Sequence, residues 1–325
     1  MSIGWLTCIQ RSLLPHSLCR STTANAPANR QMPIASVVRH NIKKNKRMNE
    51  LKFLMWNLHN KGDKYLDALN ELYNEQKPDF LLLIESDIED EYIENLSCNN
   101  LKSVMINKKK SLRLYVNPIY NVQLINEEEV EDGNYRQIKD RLVFFKCDIN
   151  GLRMLLVGAH FPSKYNNPPN TQFKIMKRWM GWIKAQEIIC KTDNTIIWGD
   201  LNLNPFDLAI YRDGGLNAHA TVKHNTKVKP VFYNPMWSTM GDFIYKTNTE
   251  KVPGTFFYDL PIDNDDDFHW NSIDGVLIKK DLVNYFSKKD LEIIIKTTSH
   301  NFSDLYSIDS VNYSDHLPVK FKLLL

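Results

Sequence analysis

From Leu51 onward, short apolar runs of strand length alternate with stretches of helical period. The runs Leu51–Leu58, Phe80–Glu85, Leu112–Val116, Leu142–Cys147, Met154–Phe161, Thr195–Trp198, Ile273–Ile278 and Pro318–Leu323 are rich in Leu, Ile, Val and Phe, which predicts buried strands. Between them, Leu66, Leu69, Leu72 and Tyr73 form a helical stripe that stops before Pro78, and Thr171–Lys191 has the length and period of a longer helix. At Asn204-Pro205-Phe206-Asp207, a capping residue, a proline in first helical position and an acid in the first turn predict another helix start. Asn150-Gly151, between two strand runs, predicts a hairpin turn. Strands alternating with helices argue an α/β domain without internal repeats. The stretch Asn217–Asp267 is less regular, carries Pro230, Pro235, Pro253 and Pro261, and is expected to shape specificity.

Charge divides the chain. Of its 41 basic residues, eight fall in the first 49 positions, where there is no acid; the remaining 33 face 38 acidic residues, a net of −5 over the rest. Residues 1–47 lack periodicity and end in Lys43-Lys44-Asn45-Lys46-Arg47, so they read as a disordered basic leader or as sequence ahead of a start at Met48. Thr7, Gln10, Arg11 and Ser12 interrupt the one apolar stretch a secretory signal would need, and an acid-poor, Arg/Ser-bearing leader fits an organelle transit peptide better. A single domain is expected over 48–325. Five scattered cysteines (Cys8, Cys19, Cys98, Cys147, Cys190) suit neither a disulfide framework nor a zinc site, and point to a reducing, cytoplasmic setting. No apolar run approaches the roughly 18–20 residues of a membrane span. Because the body is acidic, any grip on polyanions must be local.

The chemistry sits where apolar runs end or begin. Asn57 follows Phe53–Trp56, Glu85 follows Phe80–Ile84, His160 follows Leu155–Ala159, and Asp200 with Asn202 follows Thr195–Trp198; Asp274 opens Gly275–Ile278, and Asp315-His316 precedes Leu317–Phe321. Strand ends are where sheets present side chains to a crevice. Glu85, Asp315 and Asn57 are hard oxygen donors that suit Mg²⁺ or Mn²⁺. A carboxylate such as Asp200 can orient or deprotonate water, and an imidazole such as His316, oriented by Asp274, can donate to a phosphate oxygen.

In that order, Trp56-Asn57, Ile84-Glu85-Ser86, Gly158-Ala159-His160, Gly199-Asp200-Leu201-Asn202-Leu203-Asn204-Pro205, Ile273-Asp274 and Ser314-Asp315-His316-Leu317-Pro318 resemble the endonuclease/exonuclease/phosphatase superfamily over about residues 51–325. The resemblance implies a four-layer α/β/β/α sandwich with two mixed β-sheets packed face to face. It implies Glu85 as principal metal ligand with Asn57 and Asp315, Asp200 as the residue that activates water, Asn202 as its positioner, Asp274 as the partner of His316, and His160 as a second imidazole. Arg141 would meet the phosphate, as an arginine does in some relatives. The activity implied is metal-dependent hydrolysis of a phosphoester, in nucleic acid or nucleotide first and in a small phosphorylated substrate or phospholipid second. No obligate protein partner is evident. The pattern departs from the apurinic endonucleases at His59, where they carry an acid.

Each residue also has an ordinary reading. Asn57 alone could end a strand by bonding its own backbone. His160 could be a satisfied core histidine, and Arg141 a surface ion-pair residue. Trp270, four residues before Asp274, could stack on a base or belong to the core. Lys174, Lys177, Arg178 and Lys184 read as a solvated helix face, Asp263–Asp267 as a solvated loop, and His59, His219 and His269 as loop residues. A scaffold that has lost catalysis is disfavoured because the acid, amide and imidazole set is intact.

Overall fold

The computed structural model describes residues 50–98, 100–104, 111–125, 141–164, 167–221, 231–241, 251–259, 269–304 and 306–325. The leader and the acidic run Asp263–Asp267 lie outside these residues. In chain order the elements are β1 (Glu50–Asn57), α1 (Leu66–Gln76), β2 (Phe80–Ile84), α2 (Asp90–Leu96), β3 (Lys102–Ser103), β4 (Leu112–Val116), β5 (Asn121–Leu124), β6 (Leu142–Ile149), β7 (Leu152–His160) and α3 (Pro169–Cys190). There follow β8 (Thr195–Asp200), α4 (Leu208–Tyr211), β9 (Ala218–His219), β10 (Phe232–Tyr233), β11 (Phe256–Phe257), β12 (Trp270–Asn271), β13 (Asp274–Lys279), β14 (Glu292–Ile293) and β15 (Val319–Leu324).

Two large mixed sheets carry the fold, in the orders β14-β15-β1-β2-β4-β3 and β5-β6-β7-β8-β13-β10-β9. β1 runs parallel to β2 and antiparallel to β15; β7 runs parallel to β8, which is antiparallel to β13. Between the sheets Phe53 stacks on Phe80 at 4.5 Å and Phe321 at 4.6 Å, and meets Trp198 edge-on at 5.4 Å. Full burial of one such ring contributes roughly 1.5–3 kcal/mol. The alternate residues Leu54 and Trp56 face the opposite way, under α1, with Leu69 and Leu72. Likewise Ile196 and Trp198 of β8 enter the inter-sheet core while Ile197 packs beneath α3 against Met176, Trp179 and Ile183. The order of layers is therefore α1, first sheet, second sheet, α3. Central strands covered on both faces need apolar residues at every position, which is why these runs do not alternate in the sequence.

Local signals set the connections. Asn150 (φ 54°) and Gly151 (φ 81°) make a two-residue turn with both residues left-handed, and Ile149 pairs with Leu152 across it. α1 ends on Lys77 (φ 45°), whose N–H returns to the Tyr73 carbonyl before Pro78. One expectation needs correction. The helix predicted from Asn204 starts at Leu208, because the Asn204 side chain is committed elsewhere and Asn204–Asp207 form turns. α2 was not expected; it buries only Ile93 and so leaves a faint apolar pattern. Among the described residues no helix is long and apolar enough to cross a membrane.

Candidate active site

Both sheets end on the same site. Parallel pairing of β1 with β2 sets Asn57 beside Ile84, so Glu85 emerges next to it. In the second sheet His160 pairs with Asp200 and Asp200 with Asp274, which places three polar residues abreast on β7, β8 and β13. Asp315 and His316 lie in the segment entering β15, antiparallel to β1, and Phe256 bridges to His316. The backbone is strained here: Glu85 (φ 49°), His59 (φ 48°), Asn60 (φ 54°) and Asn202 (φ 48°) are all left-handed. Such conformations cost about 1–3 kcal/mol each and persist only where surroundings impose them.

Asp200 is the hub. Its carboxylate accepts from Asn57 Nδ2 at 3.0 Å, from the Asn202 N–H at 2.9 Å and from Asn202 Nδ2 at 3.0 Å. Burial, reinforced by Asp274 and opposed by His316, pushes its carboxyl up to about 7. His316 Nδ1 sits 2.8 Å from Asp274 Oδ2. Burial alone would lower the His316 imidazole, but the Asp274 carboxylate, with Asp200 and Asp315, outweighs it and raises it to about 10. Protonated, His316 gives Nδ1–H to Asp274 and leaves Nε2–H for another acceptor. Trp56 Nε1 donates to the His316 carbonyl at 2.9 Å, fixing the backbone. His160 goes the other way: burial, then the charges of Arg141 and His316, hold it down to about 3. Its Nε2 lies 3.3 Å from Glu85 Oε1 and 3.7 Å from Asp200 Oδ2.

Several partners escaped the sequence reading. His59, expected as a loop residue, brings Nδ1 to 3.1 Å from Asp315 Oδ1 and donates its N–H to Asn57 Oδ1 at 3.0 Å. Asn60 Nδ2 donates to Glu85 Oε2 at 2.9 Å. Ser314 Oγ donates to the Asn57 carbonyl at 2.6 Å, tying β1 to the Asp315 segment. The left-handed turn after Asn57 delivers His59 and Asn60, and only their closeness in sequence to Trp56-Asn57 hinted at it. Thr255 Oγ1 accepts from the Asp274 N–H at 3.0 Å.

Arg141 precedes β6; its Nη1 donates to the Phe161 carbonyl at 3.3 Å and its own carbonyl accepts from the His160 N–H. Trp270 is half-buried, edge-on to Phe257 at 5.1 Å, and belongs to the margin of the core beneath α1. Asn204, 1% exposed, receives the Ser272 N–H on Oδ1 at 2.8 Å and donates from Nδ2 to Asn271 Oδ1 at 2.8 Å, so it clamps the loop after β8 to the entry of β13. Asn204→Ala strands a buried N–H and is expected to lower stability by about 1–3 kcal/mol, measured as the urea midpoint; an unchanged midpoint would remove the clamp.

The two mixed sheets, with helices outside and polar residues gathered at their strand ends, define an α/β/β/α sandwich of the deoxyribonuclease I-like class. No protein-family model and no curated protein matches the sequence. Solved structures do match it. The chain is similar to truncated TDP2 from Caenorhabditis elegans (19% identity, 85% of this chain and 98% of that one, TM-score 0.51) and to an AP endonuclease from Archaeoglobus fulgidus (14%, 83% and 98%, 0.50). It is also similar to a 3' phosphatase, NExo, from Neisseria, bound to a product DNA hairpin (12%, 85% and 100%, 0.50). At such identities the likeness is one of fold.

Proposed function

We propose that this chain is a divalent-metal-dependent hydrolase of P–O bonds whose substrate is nucleic acid or a nucleotide. The observation that carries the reading is the pairing of a cationic imidazole, His316 on Asp274, with a carboxylate, Asp200, beside the hard oxygens of Glu85. Two donor sets compete for a cation. Asp200, Asp274 and His316 offer ligand atoms within 4.8 Å of one another. An imidazole held protonated has no lone pair to give, so this set is better read as acid–base machinery. Asn57, Glu85 and Asp315 provide oxygen only, which fits Mg²⁺ or Mn²⁺, and these three would hold the ion. When bound there, the ion supplies charge neutralisation at the phosphoryl oxygens.

The protein's own groups then divide the work. Asp200, held by Asn57 and Asn202, orients and deprotonates the attacking water. His316 donates Nε2–H to a phosphate oxygen as negative charge grows there, and Asp274 keeps the ring oriented. His160, neutral, offers a second N–H near Glu85, and Arg141 supplies a positive charge at the rim. Mg²⁺ or Mn²⁺ is expected to support hydrolysis of bis-p-nitrophenyl phosphate and of DNA, and EDTA to abolish both; activity undiminished in EDTA would defeat the metal reading. The acidic balance of residues 50–325 favours a second reading, a phosphatase or phospholipid-type phosphodiesterase on a small substrate. Absence of salt-sensitive binding to single- or double-stranded DNA would select it. Among the described residues Cys98, Cys147 and Cys190 are free thiols.

A further inference from the structure

A cleft opens at the β9 edge of the second sheet. It has a volume of about 390 Å³ and is lined by Phe206, Tyr211, Ala218, His219, Ala220, Thr221 and Trp237. Its position follows from topology. β10 runs antiparallel to β13, with Phe232 opposite Lys279 and Tyr233 opposite Ile278, so the chain leaving Tyr233 heads toward the Asp274 end of β13. It enters the 3₁₀ turn Pro235–Thr239. A Cβ on Gly275, next to Asp274, would lie 2.7 Å from Met236 Cγ, and Thr239 Oγ1 lies 3.4 Å from Ser272 Oγ. Trp237 stands between those two anchors. The opposite wall comes from the segment after Asp200: Phe206 follows the Asn204 clamp, and Tyr211 ends α4. One wall thus grows from the segment that follows Asp200, and the other from β9 and from the turn packed against the strand that carries Asp274.

We propose that this cleft receives an unpaired nucleobase flanking the scissile phosphate; the inference rests on the phosphoesterase reading above. Trp237 is 39% exposed and Tyr211 44%, whereas Trp56, Trp179 and Trp198 are at most 2% exposed. Exposed rings beside a polar site have no role in the core, and a heterocycle of any sequence stacks on them. The lining includes no carboxylate. The adjoining charge selects among apolar occupants. Arg212, next to Tyr211, lies over the Phe173 ring of α3 at 5.6 Å, and the same stretch of α3 exposes Lys174, Lys177 and Arg178. None of these four cations has an ion-pair partner among the described residues. In a domain that is acidic on balance, the cation of Arg212 next to the Tyr211 wall, with exposed cations farther along α3, suits a phosphodiester strand with a base turned in, and suits an apolar peptide or an acyl chain poorly.

The test compares two esters in Mn²⁺: the p-nitrophenyl ester of thymidine 5'-monophosphate, which carries a base, and methyl p-nitrophenyl phosphate, which does not. Trp237→Ala is expected to shrink the preference for the base-bearing ester, read as the ratio of kcat/KM values, about tenfold, and Trp237→Phe to retain it. Should Trp237→Ala fold poorly, Tyr211→Ala on the surface of α4 serves in its place. Binding is read separately in EDTA: a short oligothymidylate should quench tryptophan fluorescence, and the quench should vanish in Trp237→Phe. An unchanged preference in the alanine variant, or equal quenching by an abasic oligomer, would overturn the proposal. Quenching by phosphatidylcholine vesicles alone would reassign the cleft to lipid. If the wild type hydrolyses neither ester, the phosphoesterase reading fails, while the oligomer quench still decides whether a base enters.

Discussion

Changing Asp200 to asparagine is expected to lower kcat/KM toward bis-p-nitrophenyl phosphate about 10²–10⁴-fold, the range supplied by a positioned acid or base. Asp200 is 2% exposed, at the end of β8, and its carboxylate accepts every hydrogen bond described above. An asparagine of the same shape keeps one accepting oxygen but turns an amide toward the Asn57 and Asn202 side chains, and it cannot take a proton from water. The readout is the rate with metal saturating, alongside far-ultraviolet circular dichroism to show that the sheets persist. A variant with native dichroism and more than about a tenth of wild-type activity would remove Asp200 from its role.

Gly199→Ala acts on the scaffold. Gly199 has φ 140°, and a Cβ there would lie 2.0 Å from the Ala159 carbonyl oxygen, a backbone atom on the neighbouring parallel strand. The clash cannot be relieved by rotating a side chain; β7 and β8 must separate at the position that sets His160 against Asp200. Overpacking in a filled core costs about 1–3 kcal/mol, and an unfavourable backbone conformation adds about 1–3 kcal/mol. Against a total stability of about 5–15 kcal/mol, the variant is expected to unfold at a far lower urea concentration or to be insoluble. A midpoint close to wild type would mean that the two strands can part at little cost.

The long strands are legible in the sequence within a residue or two: double burial writes near-continuous apolar runs in β1, β2, β4, β7, β8 and β13, while β15 and the second half of β6 show as apolar residues alternating with half-buried polar ones. The sequence reading missed β5, an edge strand in which exposed and half-buried residues alternate, and the two-residue strands β3, β9, β10, β11, β12 and β14, whose pairing comes from distant register and leaves no local period. The same division holds at the site. Asn57, Glu85, His160, Asp200, Asp274 and His316 stand out because a polar residue at the margin of an apolar run is conspicuous. Their supports do not. Trp56 reaches the His316 carbonyl across 260 positions, and Asn204 looks like a helix cap although its amide joins two loops. Both are long-range hydrogen bonds, for which a linear pattern has no notation.

The pairing of β15 with β1 also imposes an order in time. During synthesis Asn57 and Glu85 leave the ribosome early, while Asp315, His316 and the strand that docks them beside β1 are made more than two hundred residues later. Until Val319–Leu324 inserts between β14 and β1, the first sheet is divided and His316 has no Trp56 indole to anchor it. A nascent chain, or one ending ahead of Ser314, therefore carries Asn57, Glu85, His160, Asp200 and Asp274 without the segment that completes their site.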